Sequence, residues 1–237
     1  MKIALLGYGK MGKEIEKISI ERGHSISVII DKDDDVKSLI DSDVAINFST
    51  PSSAVSSIKL ALDSSVPIIS GTTGWLEKYN EIVEYSKNTG TSFMYASNYS
   101  LGVNLFFELN KKLTRLLNKH DQYKIALQEI HHTEKIDKPS GTALTLAEDI
   151  IKDTDYEDWS FKNNTNKTIK IESVRENNVP GTHKVKYDSG IDSIEITHTA
   201  HSRKGFALGA VVAAEWIIDK KGVFNMTDMI NDTNLKL

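Results

Sequence analysis

The stretch Ile3-Ala4-Leu5-Leu6-Gly7-Tyr8-Gly9-Lys10-Met11-Gly12 decides the fold of this chain. Its first four residues form a short apolar run typical of a buried strand, and three glycines follow in the spacing G-x-G-x-x-G. A pattern typical of an amphipathic helix continues to Ile20, and a second strand is predicted over residues 25–30, ending at Asp31. This order of strand, glycine turn, helix, strand and acidic residue is the fingerprint of a dinucleotide-binding βαβ unit.

The chemistry of such a unit is specific. Glycines let the backbone approach a pyrophosphate, whose charge lies at the N-terminus of the helix, and an acidic side chain can bind a ribose hydroxyl. The glycine motif alone is weak, and a plain tight turn is the alternative, but the βαβ order favours a dinucleotide. Asp31 favours the free ribose hydroxyl of NADH and Lys32 favours the phosphate of NADPH, so both cofactors remain open.

Three more strands are predicted in the first hundred residues, at 44–48, 66–70 and 92–95. Each is followed by small polar residues, and ligands of an open parallel sheet bind at the carboxyl ends of its strands. The three loops therefore predict a cofactor groove, although the same residues are common in ordinary turns. The loops contain Ser49-Thr50-Pro51, Gly71-Thr72-Thr73-Gly74 and Ala96-Ser97-Asn98-Tyr99.

The pattern changes after Lys119. Four later segments have the alternation of strands, and an apolar helix over 206–220 is expected to pack back on the first domain. We therefore predict a Rossmann-type α/β domain with a parallel sheet over 1–100 and 205–237. A second, α+β domain with a mixed or antiparallel open sheet is predicted over 101–204. The alternating segments are 123–129, 168–175, 183–187 and 192–198.

Composition excludes several function classes. The 237 residues are 39% hydrophobic and 26% charged, as in ordinary globular proteins. The net charge of -4 gives no overall attraction to nucleic acid or to an anionic membrane. The absence of cysteine excludes disulfides and thiolate metal sites. No apolar run approaches the ~20 residues of a membrane span, so a cytoplasmic protein is expected.

A second candidate site follows the predicted strand that ends near residue 130. The stretch Glu129-Ile-His-His-Thr-Glu-Lys-Ile-Asp-Lys-Pro-Ser-Gly-Thr-Ala143 leads into a helix with Ser140 as its N-cap. The free N–H groups of a helix start attract a carboxylate or phosphate, and His131, His132 and Lys135 add donors. The alternative is a solvated loop before a capped helix. Adjacent histidines usually diverge, so no metal is expected.

These residues closely resemble the dihydrodipicolinate reductase family. The signature of that family combines Glu-x-His-His with a lysine, an aspartate and the run Pro-Ser-Gly-Thr-Ala, all present between Glu129 and Ala143. The resemblance covers nearly the whole chain in family order, although the glycine loop and the segment after Asp31 are shorter than is common. Its further motifs are Gly7–Gly12, Phe48–Pro51, Gly71–Gly74, Ala96–Asn104, Ile196–His198, Ser202-Arg203 and Phe206-Ala207.

The resemblance implies reduction of 4-hydroxy-tetrahydrodipicolinate to tetrahydrodipicolinate with NADH or NADPH, in diaminopimelate and lysine biosynthesis. It implies that His131 and Lys135 transfer the proton, and that the enzyme is a homotetramer assembled through the sheets of its second domain. It places the substrate at His132, Ser140, Gly141 and Thr142. It places the cofactor at Gly7, Gly9, Lys10, Met11, Gly12, Asp31, Gly71, Thr72, Thr73, Ala96, Ser97, Asn98 and Tyr99.

Two other functions remain open from the sequence. A different nicotinamide dehydrogenase, such as a relative of aspartate or homoserine dehydrogenase, would use the same fold on another substrate. A non-catalytic nucleotide sensor would bind the cofactor and a partner protein. The sensor is disfavoured because it needs no histidine and lysine beside an anion pocket.

Overall fold

The structure is a computed structural model that describes residues 1–31, 38–162, 165–202 and 204–235. The predictions for Lys32 and Arg203 lie outside these residues. The chain divides into two compact units. Unit 1 comprises Met1–Leu101 and Lys204–Leu237, and unit 2 comprises Gly102–Arg203.

Eleven strands and seven α-helices are found in the described residues. The strands are β1 (Lys2–Leu6), β2 (Ser25–Ile30), β3 (Val44–Asn47), β4 (Ile68–Ser70), β5 (Phe93–Tyr95), β6 (Lys124–His131), β7 (Asp158–Ser160), β8 (Thr168–Arg175), β9 (Gly181–Asp188), β10 (Ser193–Ala200) and β11 (Val223–Phe224). The helices are α1 (Lys10–Glu21), α2 (Pro51–Asp63), α3 (Tyr79–Thr89), α4 (Leu101–Leu117), α5 (Gly141–Lys152), α6 (Lys204–Ile217) and α7 (Met226–Ile230). None of these helices is both long and apolar enough to cross a membrane.

Unit 1 is built on a six-stranded parallel sheet in the order β11-β5-β4-β3-β1-β2. Successive side chains of a strand point to opposite faces, so an apolar run such as β1 serves two cores. Ile3 and Leu5 pack on the face that contains α1 and α6. Ala4 and Leu6 pack on the face covered by α2 and α3. The strand that the sequence predicts is therefore buried on both sides.

Helix α6 belongs to unit 1 and packs in its core. Its small apolar residues, among them Ala207, Val211 and Ala214, are fully buried in the core that contains β1 and β3. The helix ends at Ile217, three residues before the predicted end. Small side chains allow this helix to lie close to the sheet.

Unit 2 is built on a mixed five-stranded sheet in the order β10-β9-β6-β8-β7. The pairs of β9 with β10 and with β6 are antiparallel, whereas β8 pairs in parallel with β6 and β7. The core lies on one face, where Phe106 of α4 and Leu146 of α5 pack against Leu127 and Val185. The predicted fold class, a parallel Rossmann-type sheet and a second mixed sheet, is confirmed.

Short elements were not predicted. Strand β7 has three residues and β11 has two, too few for an alternating pattern to be recognised. The segment after Trp75 begins as a 3-10 turn over Leu76–Lys78 and continues as α3. These differences change the edges of both sheets and leave the central strands as predicted.

Candidate active site

The glycine loop of unit 1 lies where β1 ends and α1 begins. Gly7 has a φ of +98°, and a Cβ on it would lie 2.3 Å from the carbonyl oxygen of Phe48. A Cβ on Gly12 would lie 2.3 Å from the carbonyl oxygen of Gly7. These two glycines are required by the protein's own packing.

Gly9 differs from both, because a Cβ on it would meet no atom within 4 Å. It is the N-cap of α1, and no side chain caps the helix there. The first turn contains Lys10 and Met11. An open helix start next to a small residue fits the pyrophosphate of a dinucleotide, since the N–H groups and the helix dipole both favour negative charge. The residues present therefore fit the expected cofactor.

Asp31 follows the end of β2 beside this loop. The N–H of Gly7 donates to the carbonyl oxygen of Ile30 at 2.7 Å, which brings the end of β2 next to the glycine turn. Asp31 is exposed there. Its position agrees with that of an acidic residue that binds a ribose.

The loops after β3 and β4 are connected by a hydrogen bond. The N–H of Ser49 donates to the Thr72 hydroxyl at 2.9 Å, and the indole of Trp75 donates to the Thr72 carbonyl at 2.7 Å. A Cβ on Gly71 would overlap the ring of Phe48. Thr73 is exposed, so of the two threonines it is the one whose side chain is accessible to a ligand.

In the loop after β5, Ala96 and Tyr99 are buried and Ser97 is exposed. The Tyr99 hydroxyl donates to the carbonyl oxygen of Ser70 at 3.1 Å, and burial raises its pKa well above the usual value. The Asn98 side chain accepts a hydrogen bond from the Ser100 N–H at 2.9 Å. The phenol of Tyr99 thus supports the loop from the core, and Ser97 is the exposed side chain.

In unit 2, the start of α5 is an open anion site. The Ser140 hydroxyl accepts from the Ala143 N–H at 3.3 Å, as expected of an N-cap. Among the described residues, the N–H groups of Gly141 and Thr142 find no acceptor. A Cβ on Gly141 would meet no atom within 4 Å. The two free N–H groups therefore face open space, which suits a carboxylate.

A buried carboxylate stands behind this helix start. Glu129 is fully buried on the core face of β6, and its Oε2 accepts from the Ser140 N–H at 2.9 Å. Its Oε1 accepts from the Arg175 guanidinium at 3.2 and 3.3 Å. Burial acts to raise the pKa of Glu129, but hydrogen bonds from Ser140 act in the opposite direction, and the pKa is lowered.

His131 is the last residue of β6 and is 6% exposed. Burial lowers its pKa, and the neighbouring Glu129 carboxylate opposes this effect. The charges of Lys135 and Arg175 lower the pKa further. His131 is therefore a neutral imidazole at neutral pH, able to accept a proton.

His183 was not recognised from the sequence, yet it belongs to this site. It lies on β9 directly opposite Glu129, and its ring contacts that of His131 at a centroid distance of 4.9 Å. Its Nε2 is 3.1 Å from the Ser140 hydroxyl. Burial and the nearby His131 lower the pKa of His183 to about 3. Only the register between β6 and β9 brings it here, and the sequence does not contain that register.

Lys135 lies in the loop between β6 and α5. Its Nζ is 2.9 Å from Asp137 Oδ1, and this hydrogen bond lowers the pKa of Asp137. Its side chain is 23% exposed, so part of it is accessible from solvent. His132, one residue beyond β6, is half-buried. The structure thus brings the predicted proton-transfer and substrate residues of unit 2 to the end of one strand and the start of one helix.

Glu129, His131 and His183 offer ligand atoms within 4.8 Å of one another, as a metal site would. Spacing along the chain could not predict this cluster, because Glu129 and His131 lie on β6 and His183 lies on the neighbouring strand β9. Both oxygens of Glu129 already accept hydrogen bonds, and the Arg175 cation lies against one of them. This geometry favours a hydrogen-bonded network, and the absence of a metal stays a prediction.

Nicotinamide-dependent oxidoreductases combine a dinucleotide-binding unit of this kind with a unit that holds the substrate, and the chain belongs to that class. Two family models match it, one described as the N-terminus of dihydrodipicolinate reductase, over residues 1–99, and the other as its C-terminus, over residues 102–230. The chain therefore belongs to the dihydrodipicolinate reductase family.

Similar proteins agree with this assignment. A 4-hydroxy-tetrahydrodipicolinate reductase from Christiangramia forsetii is 50% identical, with 98% of each chain covered. One from Thermosipho africanus is 36% identical, covering 98% of this chain and 99% of the relative. The fold matches a dipicolinate-bound dihydrodipicolinate reductase from Paenisporosarcina sp. TG-14 with a TM-score of 0.77 and 19% identity, over 95% and 97% of the two chains. The predicted reductase activity with NADH or NADPH is confirmed.

Gly9 and Gly12 of the loop should respond differently to substitution by alanine. Gly9→Ala should leave the midpoint of chemical denaturation unchanged and weaken cofactor binding at least tenfold, because only a ligand would meet the added methyl group. Gly12→Ala should lose about 1 to 3 kcal/mol of unfolding free energy through overpacking. Cofactor affinity is measured by fluorescence titration. Unchanged affinity in Gly9→Ala would contradict the assignment of this loop.

The stability of the protein should depend on the protonation of His183. Its folded pKa of about 3 lies below the ordinary 6.5, so the unfolded chain binds the extra proton. Protonation of His183 therefore does not affect the free energy of unfolding above pH 6.5. As the pH falls from 6.5 towards 3, the free energy of unfolding decreases by on the order of 1 kcal/mol per pH unit. Urea denaturation between pH 7 and 5 measures this slope.

His183→Gln should have a shallower pH dependence than the original chain. His120→Gln is the matched control, because His120 is exposed, and it should keep the original slope. Equal slopes in all three proteins would show that His183 does not remain neutral on folding.

Proposed function

We propose that the reaction takes place at the start of α5, where a conjugated, dicarboxylated six-membered ring binds as the substrate. The observation that carries this proposal is the pair of free N–H groups of Gly141 and Thr142 beside two neutral histidines. The Thr142 hydroxyl and His132 provide further donors to the same carboxylates. Ser140 acts through the backbone by capping the helix.

The proton comes from the chain's own side chains in this proposal. Lys135 carries an ammonium with three N–H donors and supplies the proton to the substrate, either directly or through neutral His131, which accepts the proton and passes it on. The reduced nicotinamide supplies the hydride when it is bound. Burial lowers the pKa of His131 and so keeps its imidazole uncharged, which leaves a ring nitrogen able to accept a proton.

The cofactor is held at the carboxyl edge of the sheet of unit 1 in this proposal. The contacts come from Gly7 to Gly12, Asp31, Gly71 to Thr73 and Ala96 to Tyr99. The open surface at Gly9, the exposed Asp31, and the exposed side chains of Thr73 and Ser97 support it. Assays with NADH and NADPH in parallel decide between the two cofactors.

Assembly into a homotetramer through unit 2 is supported by the sheet face opposite α4 and α5. This face carries polar pairs such as Gln128 with Glu172 and Lys184 with Glu195. Sedimentation equilibrium should give four times the chain mass of 26.4 kDa. The mass of a single chain would contradict this assembly. Location in the cytoplasm stays a prediction from the sequence.

Lys135→Ala should lower kcat by at least a hundredfold, because the proton donor is lost, and should change cofactor affinity less than twofold. The assay follows the loss of absorbance of the reduced cofactor, with substrate made freshly by the preceding synthase reaction. Lys138→Ala is the matched control, since Lys138 is an exposed lysine of the same loop.

Unaltered turnover of Lys135→Ala would refute the role of Lys135. Tight cofactor binding without oxidation of the reduced cofactor, in the unsubstituted chain, would instead favour a nucleotide sensor. Turnover with other carbonyl compounds and none with this substrate would favour a different dehydrogenase.

A further inference from the structure

The side chain of Arg175 lies between a buried carboxylate and the loop that carries Lys135. Arg175 ends β8, and the strand register places it opposite His131. Its Nη1 and Nη2 atoms donate to Glu129 Oε1 at 3.2 and 3.3 Å. Glu129 has no solvent exposure, and the Arg175 side chain is only 15% exposed. One end of the contact is therefore fixed in the core of unit 2.

The same guanidinium reaches the backbone of the loop after β6. Its Nη2 donates to the Asp137 carbonyl at 2.7 Å and its Nε donates to the Lys135 carbonyl at 3.3 Å. Among the described residues, no other side chain donates to a carbonyl of residues 133–138. Arg175 is therefore the side-chain anchor of the carbonyls of this loop.

The contacts require an arginine. A guanidinium has five N–H donors in a rigid plane, so it can meet a carboxylate and two carbonyls at once. A lysine would preserve the charge beside Glu129 but has one nitrogen at the end of a flexible chain. The exposed loop needs such an anchor because its side chains give little burial; Ile136 is 97% exposed.

We propose that Arg175 is a positioning residue for proton transfer. Arg175 binds both the buried Glu129 and the loop carbonyls, and so holds the Lys135 ammonium near His131 and the start of α5. The role rests on the proposed function of Lys135 as the proton donor. Arg175 itself touches neither substrate nor cofactor in this proposal.

Arg175→Lys tests the proposal while keeping a positive charge next to Glu129. We expect kcat to fall at least tenfold, the KM for the cofactor to change less than twofold, and the thermal midpoint to stay within a few degrees. Hydrogen exchange of the backbone amides of residues 133–138 should become at least tenfold faster. A kcat within twofold of the original, or unchanged exchange in this loop, would overturn the proposal.

Chemical rescue gives a second readout that general destabilisation would not produce. Added guanidinium ion, kept well below denaturing concentration, should raise the kcat of Arg175→Ala at least fivefold, because the ion can occupy the vacated place. If Arg175→Ala does not fold, the double variant Glu129→Gln/Arg175→Ala is used for the rescue experiment instead, because the double variant leaves no unpaired buried charge. An absence of rescue in the folded variant contradicts the proposal.

Two controls separate this proposal from the proposed function. Arg115→Ala removes an exposed arginine that pairs with Asp153, and should leave kcat and exchange of residues 133–138 unchanged. Lys135→Ala should show no rescue by guanidinium. If the unsubstituted chain does not turn over the substrate, the proposed function fails, whereas the exchange measurement on Arg175→Lys still tests the anchoring of the loop.

Discussion

A charged carboxylate lies in the core of unit 2, at Glu129, where an unpaired charge would cost several kcal/mol. The surrounding structure meets this constraint from three sides. The Ser140 N–H, the Arg175 guanidinium and the ring of His131 all lie against it. Each of these groups belongs to a different part of the site: the helix start, the loop anchor and the end of β6. One buried charge therefore sets the position of all three.

The arrangement also fixes the electrostatics of the anion site. The negative charge of Glu129 is balanced by Arg175, and burial keeps His131 and His183 neutral at neutral pH. The free N–H groups at the start of α5 and the ammonium of Lys135 then have no negative partner in the core to offset them. Asp137 pairs with Lys135 at the exposed rim, where solvent weakens the interaction. The result is a surface that attracts a dicarboxylate.

Features encoded by neighbouring residues could be predicted from the sequence. The glycine loop, the helix start at Ser140 and the pair His131 and Lys135 all depend on short spacings, and alternation marked the long strands of unit 2. The roles of Arg175 and His183 could not be predicted from the sequence. These residues lie 46 and 54 positions after Glu129 and meet it only through the register of neighbouring strands. Which side chain pairs with a buried charge depends on the tertiary structure. The edge strands β7 and β11 were missed because they have only three and two residues and do not lie within longer apolar runs.

Unit 1 is discontinuous, and this has a consequence for folding during synthesis. Its core includes α6, and its sheet ends in β11, yet both follow the whole of unit 2 along the chain. When the first hundred residues leave the ribosome, the face of β1 that carries Ile3 and Leu5 has α1 beside it but still lacks α6. Unit 2 is continuous and can complete its core first. Although N-terminal domains usually fold first, unit 1 cannot complete its core until α6 has been synthesised, and part of an apolar sheet face stays uncovered until then.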